Sequence, residues 1–190
     1  MTTKNEVTSF ENELFKKLRI KEAWKNLSNS EFNWTASLIE KHKEKINWDE
    51  LSKSNNVEWS IDLLEKYQYS INWNELSESI FSRPNRYHSE KNYTQISASL
   101  LSKFENRWNW NKVSENSYNV TDEILETFSN QLDWKEIINN RNISWNTLRY
   151  EKFKKHMPLY DIDYFTKSHL WNELVEIEEK ILEGKILANS

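Results

Sequence analysis

Tryptophan recurs along the chain at nearly constant intervals, and this spacing limits the possible folds more than any other feature of the sequence. Trp24, Trp48, Trp73, Trp110 and Trp134 are separated by 24, 25, 37 and 24 residues. The long interval equals a normal one enlarged by 12 residues, which indicates one insertion. A fixed period of this length is typical of repeat proteins, in which each unit buries its apolar face on its neighbours.

Each unit contains two half-motifs. The first is Trp-x-x-Leu/Ile/Val, usually followed by Ser, as in Trp48-Asp-Glu-Leu51-Ser52. The second begins 10 or 11 residues later with Trp or Val and ends at a ring eight residues further on. The next opening tryptophan lies six positions after that ring, and Phe10–Leu18 stands before Trp24 in the same way. The second half-motifs span Trp34–His42, Trp59–Tyr67, Ile96–Phe104, Val120–Phe128 and Trp145–Phe153.

The spacing within the half-motifs favours helices over strands. In Trp59–Tyr67 the apolar residues fall at 59, 61, 63, 64 and 67, which is a helical face. Residues suited to N-caps precede the opening tryptophans, namely Asn47, Asn72 and Asp133. We therefore expect two short helices per unit, of roughly 7 and 10 residues, which depend on packing against neighbouring units for stability.

The two ends of the chain predict capping helices. Thr8 and Glu11 form a plausible capping box for a first helix. A longer helix is expected over Leu170–Leu187, with Leu170, Leu174, Ile177, Ile181 and Leu182 on one stripe and an end near Gly184. The predicted fold is all-α: a short α-solenoid of roughly five two-helix repeats of about 24 residues with N- and C-terminal capping helices. We expect a single domain over 1–190, with the array at about 10–155, an insertion at 80–91 and the C-terminal cap at 159–187.

Composition excludes several classes of protein. The 190 residues include 1 Gly and no Cys, so glycine-rich phosphate loops, disulfide frameworks and zinc ribbons are ruled out. The net charge of −4 gives no global attraction to nucleic acid. With 10 Trp, 8 Tyr and 8 Phe, aromatic rings supply the apolar area that a low hydrophobic content would otherwise lack. No targeting or membrane-spanning segment is visible, and we expect a cytoplasmic protein of a bacterium or an infected host cell.

The pattern Ile/Leu-Asn/Asp-Trp-x-x-Leu-Ser-x-Ser/Asn-x-x-Val/Ile-x-Trp resembles the short Trp-anchored repeats found in tandem in giant-virus and some bacterial proteins. The resemblance covers about residues 10–155 and is best in 46–79 and 132–153. The second tryptophan is lost at Ile96 and Val120. The resemblance implies a helical repeat fold and carries no catalytic residues.

Two segments interrupt the repeat and hold the candidate binding residues. The insertion 80–91 combines cationic and aromatic side chains, as protein and phosphate contacts do. Arg141–His156 has an excess of four positive charges. Trp108, outside the strict pattern, is expected to be the most exposed indole. The candidate binding residues are Arg83, Arg86, Tyr87, His88, Lys91, Trp108, Arg149 and Lys152.

Other polar residues favour structural roles. No two of the four histidines have metal-ligand spacing, and His42 takes the place of a repeat ring, which predicts a packed imidazole. Ser52, Ser77 and Ser114 recur with the motif, so we expect turn or cap roles for them. No catalytic residue, metal site or cofactor is predicted.

The leading hypothesis for function is a non-enzymatic helical repeat protein that binds another macromolecule. We expect this partner to be a protein and the role to be of an inhibitor or immunity type. The alternative is a nucleic-acid-binding protein that uses the basic insertion and the Arg141–His156 segment. An enzyme would need catalytic residues that come together only in the fold. No membrane contact and no small-molecule cofactor is expected.

Overall fold

The computed structural model describes residues 4–81, 96–118 and 120–188, with side chains from residue 12 onward. These residues form α-helices and one short 3-10 helix, Lys154–His156, and contain no strand, as the all-α prediction requires. The helices are α1 (Lys4–Ser28), α2 (Ala36–His42), α3 (Trp48–Lys53), α4 (Ile61–Tyr67), α5 (Trp73–Ser79), α6 (Ala98–Lys103), α7 (Trp110–Asn116), α8 (Asp122–Thr127), α9 (Trp134–Asn139), α10 (Thr147–Phe153), α11 (Ile162–Phe165) and α12 (His169–Ala188).

The described chain divides into two compact units. Unit 1 contains α1 to α5 and ends at Ile80, whereas unit 2 contains Phe81 and α6 to α12. In unit 1, α3 packs against both α1 and α5. In unit 2, α7 packs against α9, α9 against α12, and α6 against α8. Helices of the same type therefore contact each other from one repeat to the next, which is the packing expected of a repeat array.

Four helices of the first type begin at an opening tryptophan, as predicted. The side chains of Asn47, Asn72, Asn109 and Asp133 cap α3, α5, α7 and α9 by accepting a backbone N–H of the first turn. Each cap satisfies one of the amide groups that a helix start leaves without an intrahelical partner.

Helices of the second type are shorter than predicted. They have six or seven residues, because the Trp, Ile or Val that opens the half-motif lies before the helix. The next residue is the N-cap, and its side chain accepts a first-turn N–H: Thr35, Ser60, Ser97, Thr121 and Asn146. Trp34, which lies in the extended segment before α2, forms an isolated parallel bridge with Val57. The extended segments before α2 and α4 therefore pair with each other.

The opening tryptophans join the two helix types. Their indole Nε1 groups donate to the carbonyl five residues earlier, at or just past the end of the preceding second-type helix: Trp48 to Lys43 (3.2 Å), Trp73 to Gln68 (2.8 Å), Trp110 to Glu105 (3.1 Å) and Trp134 to Ser129 (2.8 Å). These carbonyls are among those that a helix end leaves unsatisfied. The hydrogen bond therefore accounts for the constant loop length before each opening tryptophan.

The same indoles pack on the ring that ends the next second-type helix. Ring centroids lie 4.7 Å apart for Trp48 and Tyr67, 5.1 Å for Trp110 and Phe128, and 5.8 Å for Trp134 and Phe153. Trp24 contacts His42 at 5.4 Å, so His42 is a packed ring as predicted. Trp73 and Trp134 are buried and Trp24, Trp48 and Trp110 are half-buried, so none of the five is exposed to solvent.

Buried serines four residues after the tryptophans connect successive repeats. Each hydroxyl donates to the tryptophan carbonyl, as Ser52 does to Trp48 at 2.7 Å. It also accepts the backbone N–H of the next N-cap residue: Ser28 from Asn47 (3.1 Å), Ser52 from Asn72 (3.0 Å) and Ser114 from Asp133 (2.9 Å). The expected local role of the serines is thus extended to a bond between repeats.

The corresponding position in the last repeat is apolar. Ile138 stands where the other repeats have serine, and it is fully buried in α9, the helix that packs against α12. Among the described residues after α9 there is no further first-type helix with an N-cap amide, so an apolar side chain fits this position.

The N-terminal prediction is wrong in two respects. α1 runs without a break from Lys4 to Ser28, so Phe10–Leu18 is not a separate half-motif and Thr8 lies inside the helix, not at its N-cap. The physical reason is visible before Trp24. Ala23 occupies the position where later repeats have Asn or Asp, and alanine cannot cap a helix start, whereas it favours continuation.

The C-terminal helix also differs from the prediction. α12 continues through Gly184 to Ala188, and the Gly184 backbone does not adopt the left-handed conformation of a C-cap. Its first part covers α9, with Leu170 fully buried. Of the predicted stripe, Ile181 and Leu182 are exposed, so the helix extends beyond the surface that it covers.

Ser52→Ala should destabilise unit 1 by about 1–3 kcal/mol, because the change removes a buried acceptor and leaves the Asn72 amide without its partner. The measurement is the urea midpoint of unfolding, followed by circular dichroism.

Ser102→Ala is the matched control, since Ser102 is an exposed serine on the surface of α6. Its midpoint should stay close to that of the wild type. Equal midpoints for both variants would contradict a stabilising role for the buried hydroxyl.

Candidate interaction surfaces

Five of the predicted binding residues belong to the insertion. Arg83, Arg86, Tyr87, His88 and Lys91 lie outside the described residues. Their proposed binding role stays a prediction.

Trp108 is buried, so the prediction that it is the most exposed indole is wrong. Only 5% of its surface is accessible, its Nε1 donates to the Leu101 carbonyl at 3.2 Å, and its ring lies 5.3 Å from Phe81. The sequence contained the signal for this outcome. Trp108 stands two residues before an opening tryptophan, where the other repeats have the buried residues Ile46, Ile71 and Leu132.

Arg149 is engaged in contacts within unit 2. Its guanidinium donates from Nε to the Asp122 carboxylate (2.6 Å), from one terminal nitrogen to the Ser144 carbonyl (2.6 Å) and from the other to the Val120 carbonyl (3.0 Å). It also lies 5.8 Å from the centre of the Trp145 ring. A guanidinium with this many partners holds α10 against the segment that begins α8.

Lys152 is paired with two carboxylates, Glu126 at 2.7 Å and Asp122 at 3.5 Å. The hydrogen bond to Glu126 raises the pKa of Lys152. Burial acts to raise the pKa of Asp122, but the Arg149 hydrogen bond and the nearby cations outweigh it and lower that pKa. The positive charge of Arg149 and Lys152 is therefore balanced within unit 2.

The rest of the basic segment is divided between paired and unpaired groups. Lys154 contacts Glu151 at 2.6 Å, and His156 stacks on Trp134 at 5.0 Å, where burial and the nearby Lys155 lower its pKa. Arg141 and Lys155 are exposed and form no ion pair with any residue that the structure describes. Two isolated cations make a weak electrostatic surface.

Unit 1 contains an ion-pair cluster at the repeat positions that correspond to Glu126 and Lys152 of unit 2. Glu40 accepts from Lys66 at 2.6 Å, from Lys43 at 3.1 Å and from the Tyr67 hydroxyl. The Lys66 hydrogen bond is the main reason that the Glu40 pKa falls from 4.5 to about 2. Burial and the Glu40 carboxylate raise the pKa of Tyr67 to about 12. In both units a glutamate two residues before the terminal ring thus binds the lysine that precedes the ring of the next repeat.

The outer face of α1 carries an apolar stripe that the sequence interpretation assigned to a packed half-motif. Leu14, Phe15 and Leu18 are 44%, 61% and 52% exposed. Their spacing places them on one side of the helix, and they do not line the face that carries Ile20 and Trp24. We call these three residues the outer stripe.

A groove lies on the inner side of the same helix. Lys17, Ile20, Lys21 and Trp24 form one wall, and the loop 44–47 before α3 forms the other. Its volume is about 510 Å³, within the range of ligand and peptide pockets. We call it the Trp24 groove.

The Trp24 groove is positively charged. Lys17, Lys21 and Lys45 line it with one carboxylate, Glu44, and none of the three lysines forms an ion pair among the described residues. The Lys45 Nζ lies 5.6 Å from the centre of the Trp24 ring. The groove therefore combines an aromatic floor with an excess of positive charge, a combination that suits an anionic or polar partner.

Glu40→Gln should lower the unfolding midpoint at pH 7 and lose this effect in acid. The Glu40 pKa is about 2 in the folded protein against an ordinary 4.5, so its contribution is complete above pH 4.5 and disappears as the pH falls through 2. The measurement is the urea midpoint of both proteins at several pH values between 2 and 7.

Glu58→Gln provides the comparison, because Glu58 is exposed and forms no ion pair among the described residues. It should leave the midpoint unchanged at pH 7. A wild-type advantage over Glu40→Gln that persists undiminished at pH 2 would contradict this account of the cluster.

The described residues contain no group of three or more metal-ligating side chains, and none of their helices is long and apolar enough to cross a membrane. In comparisons with family models, with curated proteins and with solved structures, nothing was found to match this chain.

Proposed function

We propose that the protein is a helical repeat scaffold that binds another protein without catalysing a reaction, and that α1 provides the binding surface. The observation that supports this proposal is the outer stripe, where Leu14, Phe15 and Leu18 are all more than two-fifths exposed side by side. Neighbouring exposed apolar side chains on one helix face are the usual anchors for a hydrophobic groove in a partner.

In this role the repeats form the scaffold that holds α1. Their capping residues, the buried serines four residues after the opening tryptophans and the indole N–H groups of the four later opening tryptophans are used for bonds within and between repeats, as in the link from Ser52 to Asn72. These polar groups are therefore committed to structure. Recognition falls to side chains that project from the array, and α1 is the longest described helix in unit 1.

The predicted basic segment favours a protein partner over nucleic acid. Arg149 and Lys152 are balanced by Asp122 and Glu126. A nucleic-acid surface needs several unpaired cations in reach of successive phosphates. The predicted basic segment offers two, Arg141 and Lys155, among the described residues.

The resemblance to Trp-anchored repeat proteins is in keeping with a binding scaffold. An inhibitor or immunity-type role fits a chain of this size, and its target would be the protein that the outer stripe captures. We place this binding in the cytoplasm of a bacterium or an infected host, where a chain without cysteine needs no oxidising compartment.

Phe15→Asp/Leu18→Asp should abolish recovery of the partner in affinity capture from the native lysate, because the change places two charges on the apolar anchors. Leu148→Asp is the matched control, since Leu148 is 83% exposed on α10, away from α1. The measurement compares captured proteins by quantitative mass spectrometry, with circular dichroism to show that each variant is folded.

Two results would contradict the proposal. One is a set of captured proteins that is the same for the stripe variant and the wild type. The other is retention on heparin or on labelled RNA with affinity that falls steeply with salt, which would favour the nucleic-acid alternative.

A further inference from the structure

The structure assigns to the Trp24 groove a partner of defined chemistry: the C-terminal turn of an acidic helix from another protein. This surface differs from the outer stripe, so the inference goes beyond the proposed function and has a separate test.

The first support comes from the repeated role of the opening tryptophans. In four repeats the indole N–H donates to a carbonyl at the end of a second-type helix, at 2.8–3.2 Å, as between Trp73 and Gln68. The groove residue Trp24 belongs to the same set by sequence, but its indole donates no hydrogen bond among the described residues. The residue five positions earlier, Arg19, lies inside α1, where its carbonyl belongs to the hydrogen bonds of that helix.

The second support is the position of Trp24 in the array. Its other contacts follow the repeat pattern, because Trp24 packs on His42 and its carbonyl accepts the Ser28 hydroxyl at 2.7 Å. The missing element is the turn after a preceding second-type helix, whose place the continuous α1 does not fill. The groove is thus continuous with an interface that the array forms four times with its own helices.

The third support is charge. The last carbonyls of a helix carry a partial negative charge, and cations stabilise them. The groove offers Lys17, Lys21 and Lys45 against Glu44 alone. Carboxylates in the last turns of the partner helix would add to the attraction, whereas a basic helix would be repelled.

The experiment uses the full chain and a peptide that copies residues 60–70, the helix and turn that serve Trp73. The acidic probe carries Lys66→Glu, and the reversed probe carries Asp62→Lys/Glu65→Lys; both have blocked ends. A ¹⁵N-indole spectrum reports on the ten tryptophans, and Trp24→Phe identifies the Trp24 signal by its loss. We expect the acidic probe to move that signal downfield in a saturable manner, as formation of an indole hydrogen bond requires.

Lys17→Glu/Lys21→Glu should weaken this binding by about tenfold or more, because it reverses the charge of one groove wall. Lys167→Glu/Lys180→Glu makes the same change of charge on exposed residues of unit 2 and should leave the affinity unchanged. A neutral stripe variant, Phe15→Ser/Leu18→Ser, removes the apolar anchors without changing the charge and should bind the probe as the wild type does, which separates this inference from the proposed function.

Three results would overturn the inference. The first is no movement of the Trp24 signal at millimolar acidic probe. The second is equal binding of the acidic and reversed probes. The third is a Trp24 signal that moves with protein concentration without any peptide, since it would assign the groove to a second copy of this chain.

Discussion

The hydrogen bond from the opening indole to the end of the preceding helix is the interaction on which the rest of the fold depends. Helices of six or seven residues are too short to be stable alone. The bond from Trp73 to Gln68 fixes where one helix ends and the next begins, and the same ring then packs within the repeat. The serine link between Ser52 and Asn72 then joins helices whose ends this register has set.

The buried serines that recur with the motif satisfy backbone groups in the same way in successive repeats. One hydroxyl, such as that of Ser52, donates to a tryptophan carbonyl and accepts the N-cap amide of the next repeat. A lost partner would leave a buried group unsatisfied, so these positions are constrained by structure. The ends of the pattern are different, because Ile138 replaces the serine and α1 replaces a loop, and new surfaces arise there.

The fold could be predicted where one physical requirement repeats. The helix starts at α3, α5 and α9 were predicted from the capping residues Asn47, Asn72 and Asp133. The position of His42 in the series of rings predicted that its imidazole is packed, and it contacts Trp24. Spacing alone could not distinguish a loop from a continuous helix before Trp24, although Ala23 in place of a capping residue favours the helix. The groove was not predicted, because it lies at the one opening tryptophan whose indole lacks the recurrent hydrogen bond among the described residues, and a repeat pattern shows only what recurs.

Hydrogen exchange of the indole N–H groups, followed by ¹⁵N-resolved spectra of the full chain, tests the central claim most directly. The indole protons of Trp48, Trp73, Trp110 and Trp134 are hydrogen-bonded to carbonyls and should exchange slowly, whereas that of Trp24 should exchange much faster. Exchange of all five at one rate would contradict the account, because the bond that sets the repeat would then not distinguish the first tryptophan from the others.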